Sequence, residues 1–139
     1  MSEIEPLLLL QRIGPTPGFA LTPTRFTTRS SSAAPSPKYR DEESIGFRVE
    51  VLDAHAAEPY RLGVAIVRAV AAGGGFAWDR DGASLTWLLG TAELLERLRR
   101  GLTVDEIVAA DAADHAAWRA TRKAFLLYDS SPNGHSVAK

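Results

Sequence analysis

There is no cysteine among the 139 residues. That excludes disulfides, thiolate nucleophiles and thiolate metal sites. Histidine is almost as scarce. His55, His115 and His135 are far apart, and none has a second ligand at metal-motif spacing, so neither a metal enzyme nor a cofactor is expected. Charge of one sign is also missing. Sixteen basic and seventeen acidic side chains leave a net charge of −1, which favours no polyanion, and nucleic acid is not an expected partner. Long apolar runs are lacking too. The aliphatic run Leu7–Leu10 falls far short of the roughly twenty residues of a membrane span. Glu3 and Glu5 stand where a secretory leader would be basic. No membrane association and a cytoplasmic location as encoded are therefore the expectations.

What is there reads as one small domain, since 45% of the residues are hydrophobic and can form a core. Residues 4–13 have helical amphipathicity, stopped by Gly14-Pro15. PGFALTPTRFTT carries two prolines and suits an extended edge segment. RSSSAAPSP, residues 29–37, is small, polar and proline-punctuated, the composition of a flexible surface loop. Phe47, Val49 and Val51 alternate with Arg48, Glu50 and Leu52, the period of a half-buried strand. A turn from Asp53 leads to Glu58-Pro59, where proline suits the first helical position. Leu62, Ile66, Ala69 and Val70 then share a helix face that Gly73-Gly74-Gly75 should end.

The Asp-Gly step of Asp79-Arg80-Asp81-Gly82, flanked by residues 76–78 and 85–88, predicts a hairpin turn. An aspartate-rich metal loop is the sharper reading, but no glutamate follows to complete a calcium pattern. Thr91 can cap a helix that carries Glu93 at its start and Arg97, Arg99 and Arg100 toward its end, a placement the helix dipole explains. Thr103 with Glu106 forms a capping box and Leu102 with Ile107 a hydrophobic staple. They open a last helix predicted to bury Val104, Ile107, Val108, Trp118 and Phe125 on one stripe. Asp111 and His115, four apart, can pair locally or act as an acid–base dyad. Residues 129–139 have little to bury and are expected to be a disordered tail. The composite is an α+β fold, a single small domain with helices packed on a small mixed sheet.

Four residues stand out as candidate ligand contacts. Arg61 lies in a helix's first turn, where a cation is electrostatically misplaced and needs a compensating contact. Asp53, Glu58 or a ligand carboxylate can supply it, and a guanidinium fork suits the last. Asp53 can serve the turn backbone with its own oxygens or face a ligand. Lys38 and Tyr39 offer a cation and a stacking ring, or an anchor for the loop before them. Glu50, Asp53 and Glu58 each have a sufficient structural task, so no residue is assigned as catalytic.

In order, PGFALTPTRFTT, Lys38-Tyr39 with GFRVEVLD, EPYRLGV, LLGTAELLERLRRG and WRATRKAFLLY resemble the C-terminal domain of the peptidoglycan exo-β-N-acetylmuramidase family. The likeness spans residues 15–128, with residues 1–14 as a preceding helical segment. Departures include Arg40-Asp41 for a small Ala-Gly pair, and Glu50 and Leu52 for a histidine and a threonine. The resemblance implies a Rossmann-like N-terminal domain that carries the catalytic carboxylate, a cleft between the two domains, and removal of N-acetylmuramic acid from glycan ends. It makes this chain a catalytically incomplete accessory or substrate-binding module, or one subunit of a split glycosidase. Its expected partners are then an N-terminal muramidase domain on a separate chain and a muramic acid-containing glycan. A repurposed protein-interaction module is the alternative.

Overall fold

The computed structural model describes residues 6–73 and 76–127. The chain divides into two compact units, Met1–Val104 and Asp105–Lys139. The first unit opens with helix α1 (Pro6–Ile13), which ends as the glycine predicts: Gly14 is left-handed (φ 74°) and its N–H reaches Leu10 O at 3.1 Å. Strands β1 (Phe19–Thr27) and β2 (Glu43–Val51) follow and pair antiparallel, with Phe19 opposite Val51 and Pro23 opposite Phe47. The α+β class holds. The expected mixed sheet is, among the described residues, this one antiparallel pair plus an isolated parallel bridge between Thr28 and Arg40.

The sheet has a clear phase. Leu52 N–H donates to Gly18 O at 2.9 Å, one step beyond the Phe19–Val51 pair. Hydrogen-bonded and non-bonded pairs alternate in an antiparallel ladder. The N–H groups of Phe19, Leu21, residue 23 and Arg25 therefore face away from β2, as do those of Phe47, Val49 and Val51 from β1. Pro23 lacks a donor only where the ladder needs none, which explains how a proline sits inside a strand.

Odd-numbered residues share the face that meets the helices. Phe19, Leu21 and Phe47 pack with Leu9 against Ile13, Leu62, Ala65 and Ala69, and the last three come from helix α2 (Pro59–Ala71). Coverage of β2 stops at Phe47: Val49 and Val51 share this face but stay exposed. On the opposite face the Phe26 ring lies over Gly46, where any Cβ would meet it at 3.0 Å. The end of α2 departs from the expected glycine stop. Ala72 closes it in a right-handed conformation and Gly73 N–H bonds Val70 O, while Gly74 and Gly75 lie outside the described residues.

The predicted hairpin at residues 76–88 does not form. Arg80 and Asp81 do adopt left-handed conformations (φ 44° and 55°), as a tight hairpin turn requires. A 3₁₀ turn (Asp79–Gly82) instead runs into helix α3 (Ala83–Leu89). Two contacts redirect the chain: Ser84 Oγ donates to Asp79 Oδ2 at 2.6 Å, and Gly82 abuts Leu95 so closely that a Cβ would lie 2.4 Å from its Cδ2. Helix α4 (Glu93–Arg99) buries Leu94 and Leu95 and ends in a Schellman motif. There Gly101 is left-handed, its N–H reaches Leu98 O, and Leu102 N–H reaches Arg97 O. Thr91 Oγ1 accepts the Glu93 N–H, fulfilling the capping expectation. Arg68 Nε donates to Leu102 O at 2.9 Å, linking α2 to the segment beyond α4.

In the second unit the long last helix is broken. Helix α5 (Val104–Ala110) starts directly after Thr103, and helix α6 (Ala112–Arg122) follows with a 3₁₀ turn (Lys123–Phe125). Ile107 is fully buried, but Trp118 and Phe125 are exposed, so the predicted common stripe is not made. α6 is alanine-rich, which favours the helix without supplying large apolar groups for a core. His115 N–H bonds Asp111 O at 3.0 Å in the ordinary helical manner. Residues 4–5, Tyr128, His135 and the rest of the expected tail lie outside the described residues.

Candidate functional site

The four candidate residues occupy two corners of the first unit. At the first, β2 turns into α2. Both Leu52 and Asp53 donate their N–H groups to Gly18 O, at 2.9 and 3.3 Å, which ties the turn to the start of β1. Gly18 is left-handed (φ 76°), and a Cβ there would lie 2.5 Å from Ala57 N and 2.6 Å from Asp53 O. Only glycine allows this backbone approach. Asp53 Oδ1 accepts the N–H groups of His55 (2.8 Å) and Ala56 (3.3 Å), so its carboxylate is committed to the turn. Arg61 follows Pro59, the first residue of α2, by two positions. Its Nε donates to Glu58 Oε2 at 2.9 Å. Of the two internal partners anticipated for Arg61, Glu58 is the one used, and it offsets a cation at the positive helix end.

The second corner joins the loop to β2. Tyr39 and Asp41 are both left-handed (φ 54° and 61°). Asp41 N–H donates to Thr28 O at 2.7 Å, Glu42 N–H to Tyr39 O at 3.1 Å, and Arg40 Nε to Asp41 Oδ2 at 3.2 Å. These bonds hold the backbone and leave Tyr39 55% exposed. Lys38 is exposed, with no hydrogen bond or ion pair to another described residue. Its charge is felt at Asp79. That carboxyl is held below its ordinary value first by the Ser84 hydroxyl, then by the charge and hydrogen bond of Arg80, with Lys38 adding to them; desolvation opposes these. Ahead of residue 38, Ser31 and Ala34 exchange backbone hydrogen bonds of 3.1 and 3.2 Å, a small turn within residues 29–37.

The acidic residues of residues 79–82 are engaged by neighbouring side chains. Asp79 takes Ser84 and Arg80, while Arg99 binds both the carboxylate and the carbonyl of Asp81. Among the described residues no three acidic or histidine side chains converge. No charged side chain among them is buried, and Glu50, Asp53 and Glu58 are all exposed. Two residues that organise the site escape sequence reasoning. Gly18 is visible as a turn glycine in Pro17-Gly18, but its contact with Ala57 joins segments far apart along the chain. Arg99 reads as an ordinary helix-terminal arginine, and nothing local signals its grip on Asp81.

A family model described as exo-beta-N-acetylmuramidase NamZ, C-terminal, matches residues 7–128. Comparison with curated proteins and with solved structures gave no match.

Proposed function

From the chain's membership of the family of NamZ C-terminal domains, we propose that it is a glycan-facing accessory module that completes a muramidase cleft but does not itself cleave. The observation that carries this reading is the contrast between the two corners. Asp53 and Arg61 are engaged by their own turn and helix. Lys38 presents a cation to solvent, and Tyr39 presents a ring from a left-handed backbone. A left-handed tyrosine is costly, and such outliers concentrate at ligand-contacting positions. In this reading Lys38 meets the carboxylate of a muramic acid lactyl group and Tyr39 stacks on the sugar ring. Arg61 supports the edge from the other corner.

The exposure of Glu50, Asp53 and Glu58 supports a partner as the source of the catalytic acid. Glycoside cleavage needs two carboxyl groups about 5–9.5 Å apart, one of them protonated. The partner is a NamZ-type N-terminal domain, and in the split-enzyme form of the proposal it is a separate polypeptide. Turnover of a chromogenic N-acetylmuramic acid glycoside tests this directly. The chain is expected to be inactive alone and to raise the rate of an added N-terminal domain. Turnover by the chain alone would refute it. NMR titration with muramic acid fragments should shift Lys38 and Tyr39 resonances. A flat titration would favour the alternative, a repurposed interaction module, for which the exposed Trp87 and Leu88 of α3 speak.

A further inference from the structure

Strand β2 has an open edge. The ladder phase sends the N–H and C=O groups of Phe47, Val49 and Val51 away from β1, and none has a backbone partner among the described residues. An unpaired edge is a template for another strand, and folded proteins usually blunt it. β1 is blunted by Pro23, which removes an outward donor. β2 contains no proline, and each residue from Arg48 to Val51 is exposed. Two strands alone also make a marginal sheet.

The side chains along this edge say what would pair with it. Arg48 and Glu50 share one face of β2, and their neighbours across the existing ladder are the uncharged Thr22 and Ala20. Neither makes an ion pair with a described residue. Val49 lies between them on the other face, 46% exposed. The geometry points to a second copy of this chain as the occupant, its β2 pairing antiparallel with β2 about a two-fold axis at Val49. In that register Val49 bonds the second copy's Val49, and Phe47 bonds the second copy's Val51. Both pairs use the outward-facing backbone groups. Arg48 then stands opposite the second copy's Glu50, twice by symmetry. Registers centred on residue 48 or 50 would set like charges against each other, which is unfavourable. Of these registers, only the one centred on Val49 sets opposite charges against each other. The product is a four-stranded sheet in which the exposed valines become cross-strand neighbours.

Sedimentation velocity of the full chain over a concentration series tests the pairing. A monomer–dimer equilibrium is expected, and a chain that stays monomeric up to about 1 mM overturns the proposal, because any weaker contact is negligible. Arg48→Glu and Glu50→Arg, each alone, should weaken the dimer by about tenfold, whereas the double exchange restores it. A dimer indifferent to the single changes places the contact elsewhere. Val49→Cys gives a second readout that does not depend on weakening anything. The native chain has no cysteine, and directly opposite bonded residues lie about 5.5 Å apart, within disulfide reach. Rapid cross-linking on mild oxidation supports the two-fold at Val49; a dimer that does not cross-link refutes it.

Discussion

Replacing Gly18 by alanine should cost about 2–5 kcal/mol, and the structure shows where that figure comes from. A left-handed alanine costs about 1–2 kcal/mol relative to glycine. The new methyl would lie 2.5 Å from Ala57 N and 2.6 Å from both Ala57 Cα and Asp53 O. All three are backbone atoms, so no side chain can swing aside. Relief requires the 53–57 turn to move off the start of β1, which breaks the bonds from Leu52 and Asp53 N–H to Gly18 O. Each of those contributes about 0.5–1.5 kcal/mol net. A marginally stable domain has only about 5–15 kcal/mol in all, so the loss is a large fraction of it. Gly14 is the internal control: its φ of 74° nearly equals that of Gly18, but a Cβ there meets nothing within 4 Å. Gly14→Ala should therefore show the conformational cost alone, about 1–2 kcal/mol. Urea unfolding of both variants, followed by far-ultraviolet circular dichroism, measures the difference from the midpoints at unchanged slope. Equal costs for the two would refute the claim that the turn is locked against β1.

Further outcomes follow from the same contacts. Tyr39→Gly should raise stability by up to about 1 kcal/mol by removing a left-handed side chain, while weakening binding of a muramic acid fragment in calorimetry. Arg68→Ala removes the donor to Leu102 O and should cost about 1–3 kcal/mol in urea unfolding. Ile107→Ala, at a fully buried position, should cost about 2–5 kcal/mol. Asp79 has a folded-state pKa below its reference value of 3.8, so its stabilising contribution is present above that value and is lost as pH falls through the lowered one. Carboxyl-detected NMR titration should show the Asp79 midpoint moving up toward 3.8 in Ser84→Ala, since the Ser84 hydroxyl is the leading cause.

Much of the framework could be read from local chemistry. The Gly14-Pro15 stop, the strand alternation at residues 47–51, the Pro59 helix start and the Thr91 cap each depend on neighbours within a few positions. At Asp79–Gly82 the left-handed turn was also legible. Its continuation as a helix was not, because Gly82 is pressed against Leu95, thirteen positions along. The stripe through Trp118 and Phe125 fails for a related reason. Periodicity can say that residues share a face, not that anything covers it. At the candidate site the residue types were legible, but the commitment of Arg61 to Glu58 and of Asp53 to its own turn, while Lys38 makes no ion pair with a described residue, needed distances.

Composition and local pattern thus settle that this chain lacks thiolate chemistry, has an α+β fold and carries the segments of a NamZ C-terminal domain. Those properties rest on residue identity and short-range geometry. The phase of the strand ladder, the glycine contact under the β2–α2 turn and the edge at Val49, unpaired among the described residues, emerge only from folding. They arise where segments distant along the chain exclude one another's volume or share hydrogen bonds, and no local window contains both partners.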